Sequence, residues 1–171
     1  MKPPAADADA EARERARLAA LHALRILDTP DEERFDRITR LAAQVCAVPM
    51  AQITLIDAER QWVKSCYGPG RREIPREHSF CAHDLDVPAA LLVPDATQDP
   101  RFADNPLVTA DGGLRFYAGV VIRSADGHTL GRLCVLYTVP HAPDPARVRA
   151  LRDLAAWVEL ELHAGVLPAP P

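Results

Sequence analysis

Several things are scarce in this chain, and each scarcity removes a class of protein. No apolar run approaches the ~18 residues that a membrane span needs. The opening stretch, MKPPAADADAEARERARL, has no apolar core of the kind a secretory leader carries. The four cysteines, Cys46, Cys66, Cys81 and Cys134, are widely spaced and form no C-x-x-C pair. The expected setting is therefore the cytoplasm, with reduced thiols. Lysine is almost absent, with only Lys2 and Lys64, and the net charge is −4. No overall basic field invites nucleic acid or an anionic membrane as a partner. No internal repeat is found.

What remains is ordinary globular material. The 171 residues are 48 % hydrophobic and 26 % charged, enough for one well-filled core. The expected organisation is a flexible arm over residues 1–12, a single domain over 13–165 and a flexible tail over 166–171.

The pattern along the chain alternates between two periods. Spacing of Ala16, Ala20, Ala23 and Leu27, with Leu18, Leu21 and Leu24 beside them, predicts a helix from about Glu11 to Leu27. DTPDEERF then reads as a capping box, with Thr29 as N-cap, Pro30 at the first helical position and Glu32 three after the cap. The helix that follows runs to about Cys46, with Phe35, Ile38, Ala42 and Val45 facing inward. AQITLID and QWVKSCY are short β-rich runs that predict a hairpin. GPGRREIPREH reads as a loop, and SFCAHDL as one or two helical turns capped by Ser79. ALLVP reads as a strand. In QDPRFADNP, Asp99 caps and Asn105-Pro106 closes a brief helix. LRFYAGVVI and HTLGRLCVLYT form the strongest strand pair, turned at Asp126-Gly127. A last helix starts at about Pro145, capped by Asp144, with Val148, Leu151, Ala155, Val158 and Leu162 at helical spacing. Hairpins with segregated helices argue for an α+β fold built on an antiparallel sheet.

Taken together, ALRILDTPDEERFDRITRLAA, ITLIDAERQWVKS, SFCAHDL, LLVPDATQDPRFADNPLV and RFYAGVVIRSADGHTLGRLCVL, in that order and followed by a long helix, resemble a GAF domain. The resemblance is to the GAF modules of bacterial sensor histidine kinases and diguanylate cyclases, over roughly Leu21 to Leu162. It implies a sheet of about five or six strands. Long terminal helices would lie on one face, and short helices and loops would cover a cavity on the other. It also implies sensing of a small molecule, a chromophore or redox state. Cyclic-nucleotide-binding members commonly carry N-K-x-F-x-x-x-D-E, and no Asn-Lys occurs here. Bilin-binding members attach pigment to a cysteine before the penultimate strand, and the matching NPLVTADGGL has none. A third subtype reduces free methionine sulfoxide with cavity cysteines.

HSFCAHDL, residues 78–85, sets one thiol between two imidazoles. A closed zinc site needs about four converging ligands. On a helix Cys81 and His83 diverge, and on a strand His78 falls on the other side, so no metal is expected. Cys81 in a first helical turn near imidazoles would have a lowered pKa, which suits redox sensing or nucleophilic attack. A buried cysteine packed as a small apolar residue is the plainer alternative. Alternation in RFYAGVVI puts Phe116, Ala118, Val120 and Ile122 under the helices. It puts Arg115, Tyr117, Gly119 and Val121 on the cavity face.

The expected ligand-binding residues are Trp62, Lys64 and Cys66 from QWVKSCY, and Phe80, Cys81, His83 and Asp84 from the lid. Phe102, Arg115 and Tyr117 complete the set. The expected function is ligand sensing or regulation in bacterial signalling, without catalysis and without a cofactor. The ligand would sit between the sheet and the 78–113 cover. A homodimer through the terminal helices and a signalling protein are the expected partners. The alternatives are a thiol-based redox enzyme or sensor using Cys81, akin to a methionine sulfoxide reductase, and a ligand-free interaction domain.

Overall fold

The computed structural model describes residues 5–142 and 144–164. The elements in chain order are α1 (Ala5–Ala23), α2 (Glu33–Cys46), β1 (Met50–Ile56), β2 (Arg60–Tyr67) and β3 (Glu73–Pro75). There follow a 3-10 turn (Arg76–His78), β4 (Leu91–Val93), α3 (Pro106–Thr109), β5 (Phe116–Arg123), β6 (Thr129–Tyr137) and α4 (Pro145–Ala164). The strands make one six-stranded sheet in the order β3-β2-β1-β6-β5-β4, and every pairing is antiparallel. The fold is the expected α+β arrangement. No helix of the described residues is long and apolar enough to cross a membrane.

Alternation along the strands divides the interior in two. Ala51, Ile53, Leu55, Phe116, Ala118, Val120, Ile122, Leu133 and Val135 form one core with Phe35, Ile38 and Ala42 of α2. Leu151, Ala155, Val158 and Leu162 of α4 complete it, and Val148 is half-buried. The Asp144 carboxylate caps α4 by accepting from the Ala146 N–H at 2.7 Å. A second core on the opposite face joins Ile56, Tyr117 and Cys134 to Phe80, Cys81, Leu85, Phe102 and Val108 of the covering segments.

Several local expectations are corrected. The arm expected over residues 1–12 is helical from Ala5, and α1 ends at Ala23 rather than Leu27. Arg25 and Asp28 take positive φ there, which ends helical winding. The buried side of α1 carries Arg17 and Leu21, while Ala16 and Ala23 are exposed. Arg17 is held by a two-pronged pair to Glu14, 2.8 Å on each arm, so its charge is satisfied within the helix. Thr29 does not cap α2: its hydroxyl donates to the Ile26 carbonyl, and Glu32 occupies the N-cap position without its side chain bonding a main-chain N–H of the first turn. Val45 points outward. The loop expected over residues 68–78 contains the edge strand β3. Asn105-Pro106 opens a helix instead of closing one, because the Asn105 side chain accepts from the Leu107 N–H at 2.9 Å. The tail expected over 166–171 lies outside the described residues.

One irregularity divides three expected pocket residues, Trp62, Lys64 and Cys66, between the two faces of the sheet. Ile53 pairs with Ser65 and Thr54 with Val63, so β2 carries a bulge at Lys64. Strict alternation is lost there. Trp62 belongs to the helix-side core, and Lys64 and Ser65 both reach the helices. The Lys64 ammonium is fully enclosed. It donates to the Thr29 hydroxyl at 2.8 Å and the Pro30 carbonyl at 2.7 Å, and pairs with Glu32 at 2.6 Å. Lys64 thus closes the α1–α2 connection onto the helix side of the sheet, and Trp62 packs into the core on that same side, away from the face that the lid covers. Lys64→Met should lower the unfolding free energy by about 1–3 kcal/mol, because the Pro30 carbonyl and Thr29 hydroxyl lose their donor. Chemical denaturation checks this, and native mass spectrometry should show the same bound species in wild type and variant.

Candidate functional site

Between the sheet and its cover lies a cavity of about 390 Å³. Its floor is the face of β1, β5 and β6 that carries Met50, Gln52, Tyr117 and Leu136. One wall is the 69–75 connection with Ile74, and another is His78, Phe80 and Cys81. The third is the segment 106–114, which presents Leu107 and Leu114. The lining is mostly apolar with a few polar groups, the usual balance of a small-molecule site.

The cover is built from short-range capping and stacking. The Ser79 hydroxyl accepts from the Ala82 N–H at 3.0 Å and donates to Gln61 Oε1 at 2.6 Å, so the expected cap bond forms and also ties the lid to β2. The residues after it make turns, not a helix. Phe80 stacks on Phe102, with ring centroids 4.0 Å apart and planes 11° apart. Such stacking contributes about 0.5–1.5 kcal/mol beyond burial. The Asn105 amide donates to the His78 carbonyl at 3.1 Å and so joins the two covering segments.

Beneath the lid is Arg132, wholly enclosed. Its Nε donates to the Cys81 carbonyl at 3.2 Å, and Nη1 to the Gly119 carbonyl at 3.3 Å. Nη2 donates to the carbonyls of His83 and Asp84 at 3.0 and 3.1 Å. Those bonds hold the 81–84 turn, including Asp84 at φ +49°, flat against β6. Two positions on, Cys134 points the same way, and its Sγ lies 3.6 Å from Cys81 Sγ. The Tyr117 hydroxyl donates to Cys81 Sγ at 3.1 Å. Gly119 makes that reach possible, because a Cβ at that position would collide with the Tyr117 hydroxyl.

The three groups form one hydrogen-bonded cluster. Burial pushes the Cys81 thiol up, but the hydrogen bonds from Cys134, Thr54 and Tyr117 and the charge of Arg132 outweigh it and bring the pKa down to about 7. Burial and the neighbouring Cys81 thiolate raise Cys134 and Tyr117 well above their ordinary values, so both stay protonated as donors. The cause of the low value is therefore a buried polar cluster, and not the helix end or imidazoles expected for Cys81.

The ten expected ligand residues sort unevenly. Phe80, Cys81 and Tyr117 line the cavity. Cys66 lies on the cavity face beside Gln52, whose amide approaches its Sγ at 3.6 Å. Phe102 backs Phe80 from behind. Arg115 turns away to donate to the Val108 and Leu114 carbonyls, which shapes the 106–114 wall. His83 packs edge-on to Phe102 and sits 3.3 Å from Asp84, which is exposed, so neither lines the cavity. Trp62 and Lys64 are on the other side of the sheet, as given above. The 99–105 part of the expected cover supports the lid from outside, while the 69–75 connection takes a share of the wall that the sequence reading left to a loop.

Arg132, Cys134, Gln52 and Gln61 were missed. Arg132, Cys134 and Leu136 share one face of GRLCVL by simple alternation, opposite Val121, Gly119 and Tyr117 in the hairpin register. That signal was present in the sequence. Gln52 follows from the same count along AQITLID. Among the described residues no group of three or more His, Cys, Asp or Glu converges in a metal-ligating cluster.

Residues 31–162 match the family model described as GAF domain. The chain is 37 % identical over 151 residues to a cyclic di-GMP phosphodiesterase of Pseudomonas aeruginosa, an alignment that covers 88 % of this chain and 26 % of that protein. The chain thus spans about a quarter of the curated relative it matches. Among solved structures, the GAF domain of an Acinetobacter phosphoenolpyruvate-protein phosphotransferase superposes with a TM-score of 0.64 at 17 % identity, covering 91 % of this chain and 98 % of that one. A free methionine-R-sulfoxide reductase of Neisseria meningitidis, solved with its substrate, gives 0.62 at 14 % identity, covering 85 % and 87 %. At these identities the two superpositions establish a shared fold.

Three measurements test the site as described. Alkylation of Cys81 by iodoacetamide should rise with pH through a midpoint of about 7, since the thiolate is the reacting form. Tyr117→Phe, which removes one donor to the thiolate, should move that midpoint upward. Arg132→Met should destabilise the protein by about 2–4 kcal/mol, because four carbonyls lose their donor at once and two of them, those of Cys81 and Gly119, are buried. Hydrogen exchange in that variant should accelerate first in residues 81–84.

Proposed function

Because this chain belongs to the GAF domain family, we propose that it is a cytoplasmic, ligand-sensing input module of bacterial signal transduction. The observation that carries this reading is the cavity of about 390 Å³ between the sheet and a cover held largely by side-chain bonds. Its volume suits a metabolite-sized ligand. Gln52, Gln61 and His78 would orient polar groups, and Ile74, Leu107, Leu114 and Leu136 would enclose the apolar part. Binding would favour the closed form of the 106–114 wall and the Phe80 lid by adding contacts that only that form offers.

The likeness to a cyclic di-GMP phosphodiesterase supports a place upstream of a signalling output. The matched stretch is about a quarter of that protein, so the reading transfers regulation and not phosphodiester cleavage. Homodimerisation belongs to the same reading, with α1 and α4 as the contact. Leu160 of α4 is 68 % exposed and supports that placement. A signalling protein would receive the output. Size-exclusion chromatography with light scattering should report a dimer, and Leu160→Glu should weaken it.

A second reading, a thiol enzyme with Cys81 as nucleophile, is favoured by one observation. The Cys81 thiol lies on the cavity wall with its pKa near about 7. Turnover of free methionine sulfoxide with a dithiol reductant would establish it. A substrate that only binds would leave the sensing reading in place.

For the sensing reading, a thermal-shift screen of metabolites should raise the melting temperature for at least one compound class. Leu136→Trp should remove the shift by filling the cavity floor, while circular dichroism shows an intact fold. A shift that survives this substitution would rule out the cavity as the site.

A further inference from the structure

We propose that Cys81 and Cys134 are an oxidisable dithiol pair, and that their disulfide clamps the lid of the cavity onto the sheet. The chemistry of the pair is independent of any ligand. Only its consequence for the cavity rests on the sensing reading above.

The geometry separates these two cysteines from the other two. The Cys81 and Cys134 sulfurs are already 3.6 Å apart across 53 residues of sequence, one on the lid and one in the middle of β6. A bond at about 2 Å needs a closure of roughly 1.5 Å, within the reach of a turn. Cys46 lies on the opposite, helix-packed face of the sheet. Cys66 faces the Gly68 carbonyl and Gln52 near the far end of β2. Oxidation should therefore select one pair of the four.

Access sets the order of events. Cys81 borders the cavity, whereas Cys134 is fully enclosed behind it. Hydrogen peroxide entering the cavity meets Cys81 first. The Cys81 thiolate attacks a peroxide oxygen and the O–O bond breaks. The departing oxygen leaves as water after taking a proton from solvent, and Cys81 becomes a sulfenic acid. The Cys134 sulfur then attacks the Cys81 sulfur and the S–O bond breaks. The hydroxyl leaves as a second water with the proton that the Cys134 thiol gives up. Two thiols are oxidised by two electrons, one peroxide is reduced, and two waters form. Tyr117 keeps its proton throughout and serves as the donor that holds the reacting sulfur in place.

The consequence follows from what is attached to Cys81. Its carbonyl is already bonded to Arg132 Nε, and the next two carbonyls but one are bonded to Nη2. In the reduced protein these bonds can open together when the lid moves. A disulfide adds a covalent tether at the same residue, so the 79–85 segment can no longer lift from β6. The lid side of the cavity is then locked, while the 106–114 wall remains free to move.

The test uses the whole chain and hydrogen peroxide, with no metabolite present. After oxidation, free thiols are alkylated and the protein is digested and mapped by mass spectrometry. The expected result is a Cys81–Cys134 cross-linked peptide, lighter by two hydrogen atoms, with Cys46 and Cys66 alkylated, and full reversal by dithiothreitol. Cys134→Ala should instead accumulate a Cys81 sulfenic acid that dimedone traps. Four alkylatable thiols after oxidation, a cross-link through Cys46 or Cys66, or equal dimedone trapping with and without Cys134 would overturn the pair. The wild-type map stands whether or not the variant folds. Hydrogen exchange over residues 79–85 should be several-fold slower in the oxidised form, and equal exchange would overturn the clamp. A failure of the metabolite screen in both redox forms would count against ligand sensing and leave the cross-link unaffected.

Discussion

The site depends on one buried cation. Arg132 stands in the middle of β6 with no exposure to water and gives its N–H groups to four main-chain carbonyls. An enclosed guanidinium is costly unless its donors are met. Here the acceptors come from Gly119 on the neighbouring strand and from Cys81, His83 and Asp84 on the lid. The lid is thus part of the solution to the charge, and the charge is part of what holds the lid. Without it the turn at 81–84 would have to find other donors for carbonyls that face the sheet. The same positive field falls on the Cys81 sulfur and adds to the hydrogen bonds from Cys134, Thr54 and Tyr117 that make it the acidic thiol of the cavity wall.

The sheet separates two kinds of interior. On the helix side, α2 and α4 lay regular apolar faces on β1, β5 and β6, and the polar groups that β2 sends there are paired. Lys64 with Glu32, and Ser65 with Asp36 at 2.6 Å, are the examples. Close packing there leaves little room for a ligand. On the other side no long helix is available. Short turns, the edge strand β3 and the 106–114 segment cover the sheet piecemeal, joined by bonds such as Asn105 to the His78 carbonyl. Irregular cover cannot fill the space as a helix face does, and the cavity is the result. The acidic thiol, its partner Cys134 and the lid all lie at this less filled face.

Much of this was legible in residue order. The two faces of β5 follow from the alternation in RFYAGVVI, and Ser79 and Asp144 cap where their side chains and neighbours predict. The antiparallel α+β fold follows from hairpins set between amphipathic helices. The polar face of GRLCVL was equally readable, and counting it would have placed Arg132 and Cys134 beside Tyr117. Other features were not legible. The bulge at Lys64 turns Trp62 and Lys64 toward the helices and Cys66 toward the cavity, and nothing local in QWVKSCY marks it. Asn105-Pro106 carries the same residues whether it ends one helix or begins another.

The amino-acid sequence by itself determined the periods: which segments alternate as strands, which wind as helices, and which residues are apolar enough to be covered. These are local properties, fixed by backbone geometry within a few residues. Tertiary structure alone decided which face meets which cover and which cysteine finds a partner. It also decided whether a cation ends in water, on a carboxylate or among carbonyls. Those outcomes depend on groups dozens of residues apart, such as Arg132 and the 81–84 turn, whose approach is set by the packing of the whole sheet.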